Sequence, residues 1–148
     1  MTVPDRGTFD FVGAKAALFC GGRLLTHLRD DRPGLPWPAM WDLPGGGREG
    51  AETPEQCLLR ELEEEFGLRL GHGRLTLRRE WPSMTGAALP GVFFAGHLAA
   101  EEIAAIRFGR EGQRYEMMPT ATFLAQPNAI PALIERVRWV LGEPGFGG

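Results

Sequence analysis

Apolar runs along this chain are closed off by glycine or proline, and their periodicity changes from strand-like to helix-like and back. AKAALFC at 14–20 is almost wholly apolar and stops at Gly21-Gly22, so it reads as a strand entering a hairpin whose partner is RLLTHLR at 23–29. DDRPGLPWPAM at 30–40 carries three prolines and is a loop, since proline neither donates to a sheet ladder nor fits a helix interior. WDLP at 41–44 is a short strand candidate, and GGGREGA at 45–51 a loop. A helix then opens with Thr53 as N-cap, Pro54 at the first helical position and Gln56 closing a capping box, and it stops at Gly67. RLTLRREW (74–81), GVFFAGHLA (91–99) and QRYEMMP (113–119) read as strands, and EEIAAI (101–106) as a helical turn. IPALIERVRWVL (130–141) is the last helix, with Leu133, Val137 and Val140 or Leu141 on one face. The mixture predicts one α/β or α+β domain over residues 1–148.

The helix from Thr53 has an electrostatic oddity. At 100° per residue, Leu58, Leu62 and Phe66, with Leu59 alongside, make an apolar stripe that must face a sheet or another helix. Glu61, Glu64 and Glu65 converge on a separate strip, while Glu63 points elsewhere. Acids belong at a helix N-terminus, where the macrodipole is positive, and like charges at i,i+3 and i,i+4 repel. These three sit near the C-terminus without interleaved lysine. A solvated acidic face is the plain alternative, but a divalent cation held between the carboxylates accounts for the crowding, and hard oxygen donors suit Mg²⁺ or Mn²⁺. The preceding glycines let the backbone approach a ligand, and the absence of Gly-Lys-Ser/Thr excludes a P-loop.

Composition narrows the rest. The 148 residues fit one domain with a real core. A net charge of −3 and a pI near 5.6 argue against nucleic acid or an anionic membrane as partner. The acidity is local, with seven of the fourteen glutamates between Glu49 and Glu65. Cys20 and Cys57 form no CxxC, and His27, His72 and His97 are scattered, so neither a disulfide framework nor a zinc site is indicated, and a reducing cytoplasm fits best. MTVPDRGTFD lacks the basic and apolar regions of a signal peptide, and no apolar run is long enough to span a membrane.

Read together, Gly46 to Leu68 is G-x5-E-x7-R-E-L-x-E-E-x-G-L. This resembles the signature box of the Nudix hydrolase family at all nine specified positions, over 23 of 148 residues, and ETPEQCLLRELEEE is similar to the MutT-type branch. The resemblance implies an α/β/α sandwich with a mixed β-sheet, and metal-dependent hydrolysis of the diphosphate linkage in a nucleoside diphosphate derivative. It implies that Glu61, Glu64 and Glu65 hold Mg²⁺, with the carbonyl of Gly45 as a further ligand and Arg60 and Glu52 as a pair orienting the carboxylates. FGREGQRYEMMP (108–119) resembles the later family segment that carries another acid. Glu111 matches it as metal ligand or base, with Glu116 its neighbour and a surface loop glutamate the plain alternative. The general base would be Glu61, Glu64 or Glu111.

Other residues carry less. Cys57 lies one turn before Glu61 and reads as a small buried residue rather than a catalytic thiol. Trp37, in the proline-rich loop, is a candidate for stacking on a base, whereas Trp41 reads as packing. Asn128, in QPNAIP, resembles a base-reading asparagine of MutT-type proteins, displaced by a residue, with capping of the last helix as the alternative. Pro82 lies at roughly the distance after the box at which ADP-ribose hydrolases of the family carry a proline. Three functions compete: a Mg²⁺-dependent hydrolase of a modified nucleoside triphosphate, ADP-ribose or a dinucleotide; a non-hydrolytic nucleotide sensor; and a prenyl-diphosphate isomerase, which would want a catalytic cysteine. The chain is expected to act as a monomer or homodimer on a small molecule.

Overall fold

The computed structural model describes residues 9–147; most of the N-terminal stretch read above for a signal peptide lies outside them. Seven strands form one mixed sheet: β1 (Gly13–Cys20), β2 (Arg23–Leu28), β3 (Trp41–Asp42), β4 (Gly45–Gly47), β5 (Leu77–Trp81), β6 (Gly91–His97) and β7 (Arg114–Pro119). The order is β3-β2-β1-β6-β5, with β4 paired to β1 and β7 to β2. β1 and β6 run parallel from Gly13↔Gly91 to Phe19↔His97, and the other pairs are antiparallel.

Alternation along β1 splits the core in two. Ala14, Ala16 and Leu18 face Leu58, Leu62 and Phe66 of α1 (Pro54–Phe66), with Ile103 of α2 (Ala100–Ala104) against the same cluster. Ala17 and Phe19 face Phe123 of α3 (Thr120–Leu124) and Leu133, Val137 and Val140 of α4 (Pro131–Leu141). The expected three-layer α/β/α arrangement follows from this period of two on a sheet buried on both faces.

Helix α1 has the expected ends. Thr53 and Gln56 exchange hydrogen bonds in a capping box, and Gly67 closes the helix at φ 67° in the left-handed region. Leu58, Leu62 and Phe66 are buried, joined by Cys57, whereas Leu59 is only half-buried.

Three readings need correction. GGGREGA is not wholly a loop: Gly45–Gly47 pairs with Gly13, Ala14 and Lys15 of β1. Strand propensity gives no hint of this, since glycine is a poor strand former; the reason is close approach, because an added Cβ at Gly45 (φ +127°) would strike the Ala14 carbonyl. The strand expected from 74 starts at Leu77, after a 3₁₀ turn at His72–Arg74. Asn128 does not cap α4, whose N-cap is Ile130 without a side-chain bond; separately, Thr120–Leu124, to which the sequence pattern assigned no element, forms α3.

Candidate metal centre and adjoining cavity

The acidic strip of α1 is stitched to its surroundings by one guanidinium. Arg60 donates from Nε to Glu52 at 2.7 Å, from Nη1 to Glu61 at 2.9 Å and to Glu64 at 3.1 Å, and from Nη2 to the Gly47 carbonyl at 2.9 Å. It also pairs with Glu49 at 3.1 Å. The hydrogen bond from Arg60 holds the Glu52 carboxyl below its ordinary range, and the same bond raises the guanidinium. Glu52 in turn accepts from the Glu49 N–H at 2.8 Å, which folds the 48–52 loop over the helix start.

Glu61 and Glu65 sit deeper. The Glu61 carboxylate lies against Gly46, where an added Cβ would come within 2.7 Å of its carboxyl carbon. Burial raises its proton affinity, Arg60 offsets part of that, and neighbouring Glu64 adds to it. Glu65 accepts from the Gly45 N–H at 2.9 Å. Burial pushes its carboxyl up to about 8, against the pull of Lys15 and the Gly45 N–H. Glu63 is turned away and pairs with Arg69 on the surface at 3.0 Å.

Beneath Glu65 lies a polar cluster that sequence reading missed. Asp42 is fully buried and pairs with Lys15 at 3.0 Å and Arg29 at 2.9 Å. Burial would raise its carboxyl, but Lys15, His27 and Arg29 together hold it below its ordinary range. Lys15 also donates to the carbonyls of Leu43 and Gly45, each at 3.2 Å. His27 lies 3.9 Å from both Asp42 and Glu65. Burial lowers its pKa despite the pull of Asp42. Its Nε2 lies 3.2 Å from the Leu43 carbonyl, which can only accept. That places the proton on Nε2 and leaves Nδ1 buried without a partner.

The C-terminal end of α1 is covered by the loop after α2. Arg107 N–H donates to the Phe66 carbonyl at 2.9 Å and Gly109 N–H to Glu65 at 2.8 Å, answering the orphan carbonyls of the helix end. An added Cβ at Gly109 would lie 2.6 Å from the Glu64 carbonyl oxygen, so this docking requires glycine. The loop carries Arg110 and Glu111 to the carboxylates: both residues, with Glu49, Glu61, Glu64 and Glu65, line one depression.

Glu61, Glu65 and Glu111 also border a larger cavity of about 480 Å³, which takes in Gly45–Gly47, the cations Lys15, Arg29 and Arg136, and the 83–85 loop. Its size is that of a small-molecule site, roughly 300–1,000 Å³. Of the residues singled out in the sequence, Glu61, Glu64, Glu65 and Glu111 are brought together, with Arg60 and Glu52 behind them. Trp37 packs against the α4-side core and Asn128 donates to Ala39 at 3.4 Å; neither lines the cavity. Glu116 does not line it either. Cys57 is buried, its thiol pushed up to about 11 by burial and then by Glu52, and it donates to the Gly46 carbonyl at 3.5 Å, so it offers no nucleophile.

The carboxylates suit a divalent cation. One oxygen each from Glu49, Glu61 and Glu64 lie within 4.8 Å of one another, and the donors are hard oxygens of the kind Mg²⁺ and Mn²⁺ take. Glu49 was not singled out in the sequence, because it lies outside the helix and joins the cluster only through its loop.

Comparison with known proteins follows the geometry. A family model described as the NUDIX domain matches residues 16–140. The RNA pyrophosphohydrolase of Gluconacetobacter diazotrophicus is 45% identical over 49 residues, covering 31% of this chain and 29% of that protein. The 8-oxo-dGTP diphosphatase of Proteus vulgaris is 64% identical over 29 residues, covering 20% of this chain and 26% of its own length. The matches thus span under a third of either relative. Among solved structures, the NUDIX domain of Shewanella oneidensis NrtR, complexed with ADP ribose, superposes with a TM-score of 0.63 at 23% identity, covering 93% of both chains. No helix among the described residues is long and apolar enough to cross a membrane.

Proposed function

Since the chain belongs to the NUDIX domain family, we propose that it is a Mg²⁺-dependent hydrolase, with Mn²⁺ as an alternative, that cleaves the diphosphate linkage of a nucleoside diphosphate derivative. The observation that carries this reading is the convergence of Glu49, Glu61 and Glu64 oxygens within 4.8 Å on the rim of a cavity that also exposes Glu65 and Glu111. Glu61, Glu64 and Glu65 would hold the cation, with Glu111 and the Gly45 carbonyl as further donors. When bound, such a cation neutralises diphosphate oxygens and lowers the pKa of a coordinated water.

The chain's own groups supply the rest. Arg60, fixed by Glu52 and the Gly47 carbonyl, orients Glu61 and Glu64 and offsets their mutual repulsion. The Gly45 N–H and the Lys15 layer fix Glu65. Lys15, Arg29 and Arg32 border the cavity and attract a polyanion. A glutamate of the cluster, Glu61, Glu64 or Glu111, takes the proton from the attacking water. We read the substrate as a modified nucleoside triphosphate, ADP-ribose or a dinucleotide, and the protein as a cytoplasmic monomer or homodimer.

The test is hydrolysis of a panel of nucleoside triphosphates, ADP-ribose, NADH and dinucleoside polyphosphates with Mg²⁺, scored by release of phosphate or pyrophosphate or, where neither is a product, of a nucleoside monophosphate. Turnover of at least one compound, lowered by Glu64→Gln by about a hundredfold or more, supports the reading. Absence of turnover across the panel, with nucleotide bound tightly, overturns it.

A further inference from the structure

Arg136 of α4 is a buried cation that this chemistry does not use. It is 4% exposed and borders the cavity. A guanidinium has five N–H donors, yet its one hydrogen bond among the described residues runs from Nη2 to the Pro82 carbonyl at 2.8 Å. No carboxylate forms an ion pair with it among the described residues, unlike Arg29, Arg60 and Arg74. Trp81 and Phe93 flank it instead, with ring centroids 5.6 and 5.8 Å from the guanidinium carbon.

The surroundings are short of acceptors. The Trp81 indole Nε1 is also buried without a partner. Burial pulls the Arg136 guanidinium below its ordinary range, with Glu135 giving only partial relief. A buried cation lacking a counter-ion is costly, and a fixed fork of donors facing a cavity matches a phosphate or carboxylate bidentately.

Sheet register sets this fork apart from the carboxylates. Gly91, Gly13 and Gly47 lie side by side on β6, β1 and β4. Arg136 Nη1 covers Gly91, 3.9 Å from where its Cβ would be, and Glu61 covers Gly46, next to Gly47. Two strand spacings, about 10 Å, separate Gly91 from Gly47, so the fork and the carboxylates stand at different strands of the cavity wall. Glycines at 13, 45–47 and 91 leave that stretch of the cavity wall with little side-chain bulk.

Resting on the hydrolase reading above, we propose that Arg136 is a specificity-determining residue that binds a second anionic group of the substrate, a phosphate monoester or carboxylate carried at the Gly91 end of the cavity, away from the diphosphate to be cleaved. Two ligand pairs test it. NADPH differs from NADH by one phosphate monoester, and UDP-glucuronate differs from UDP-glucose by one carboxylate. Calorimetry in EDTA measures binding without turnover, and hydrolysis with Mg²⁺ is measured separately. Wild type should bind the more charged member of at least one pair at least tenfold more tightly. Arg136→Gln should bring that ratio to near one while the weaker ligand binds as before, and Arg136→Lys should keep part of the preference. A merely structural role, such as holding Pro82, would weaken both members of a pair together. Equal affinities within both pairs in the wild type, or a preference that survives Arg136→Gln, overturns the assignment. A preference seen in EDTA without hydrolysis of any compound supports Arg136 and overturns the hydrolase reading instead.

Discussion

Replacing Arg60 by Met removes the cation that holds the acidic cluster together. Its side chain is 22% exposed, and its closest partners Glu52 and Glu61 are 17% and 18% exposed, whereas Glu49 and Glu64 are 68% and 52% exposed. The exposed pairs are screened and contribute little. The two half-buried contacts are charge-assisted hydrogen bonds of about 1.5–3 kcal/mol each, so the expected loss is about 3–5 kcal/mol. For a chain of this size that lowers Tm by on the order of 10 °C. The assay is thermal unfolding in EDTA, repeated with saturating Mg²⁺. Because a cation between Glu61 and Glu64 replaces part of the lost positive charge, Mg²⁺ should recover at least half of the drop. A change of Tm too small to measure, or the same drop with and without Mg²⁺, would refute the view that Arg60 and a cation neutralise the same carboxylates.

Three further outcomes follow from the geometry. Gly46→Ala should drive the Glu61 carboxylate aside, since its Cβ would lie 2.7 Å from that flexible group; Mg²⁺ affinity by titration calorimetry should fall roughly 10–100-fold. Glu63→Gln should leave stabilisation by Mg²⁺ intact and Glu65→Gln should reduce it, read from melts with and without the ion, because Glu63 pairs outward with Arg69. In EDTA, Glu65 with its carboxyl at about 8 against an ordinary value of 4.5 binds more protons folded than unfolded in that window. Its contribution to stability is therefore full below about pH 4.5 and lost as pH rises through about 8; urea melts at pH 5 and pH 8 should show a steeper fall for wild type than for Glu65→Gln.

The parts legible in the sequence were those written in local chemistry. Thr53, Pro54, Gln56 and Gly67 mark α1 because capping depends on neighbours within a turn, and the Glu61, Glu64 and Glu65 strip follows from helix geometry alone. What escaped depends on contacts distant in sequence. Gly45–Gly47 is a strand only because β1 accepts it. Lys15, His27 and Asp42 come from three strands, with Arg29 just past the end of β2, and become one cluster only when those strands pair. Glu49 and Arg136 look like ordinary surface charges in a polar loop and an amphipathic helix. A signal was available for Asp42, since an acid between Trp41 and Leu43 in a short apolar strand must be paired if buried. Trp37 was singled out by residue type and Asn128 by resemblance to a family segment, and nothing local told which side chains of their two loops would reach the cavity: Asp30, Arg32 and Leu35 line it, and Trp37 and Asn128 do not.

The central claim is that the carboxylates of α1 hold a divalent cation, and Mn²⁺ titration followed by electron paramagnetic resonance tests it most directly. Wild type should deplete the free Mn²⁺ signal saturably, with Mg²⁺ competing for the same site. Glu61→Gln and Glu64→Gln should each weaken binding at least tenfold, and Glu63→Gln should leave it unchanged. Binding that is absent in wild type, or equally affected by Glu63→Gln and Glu64→Gln, would contradict the account.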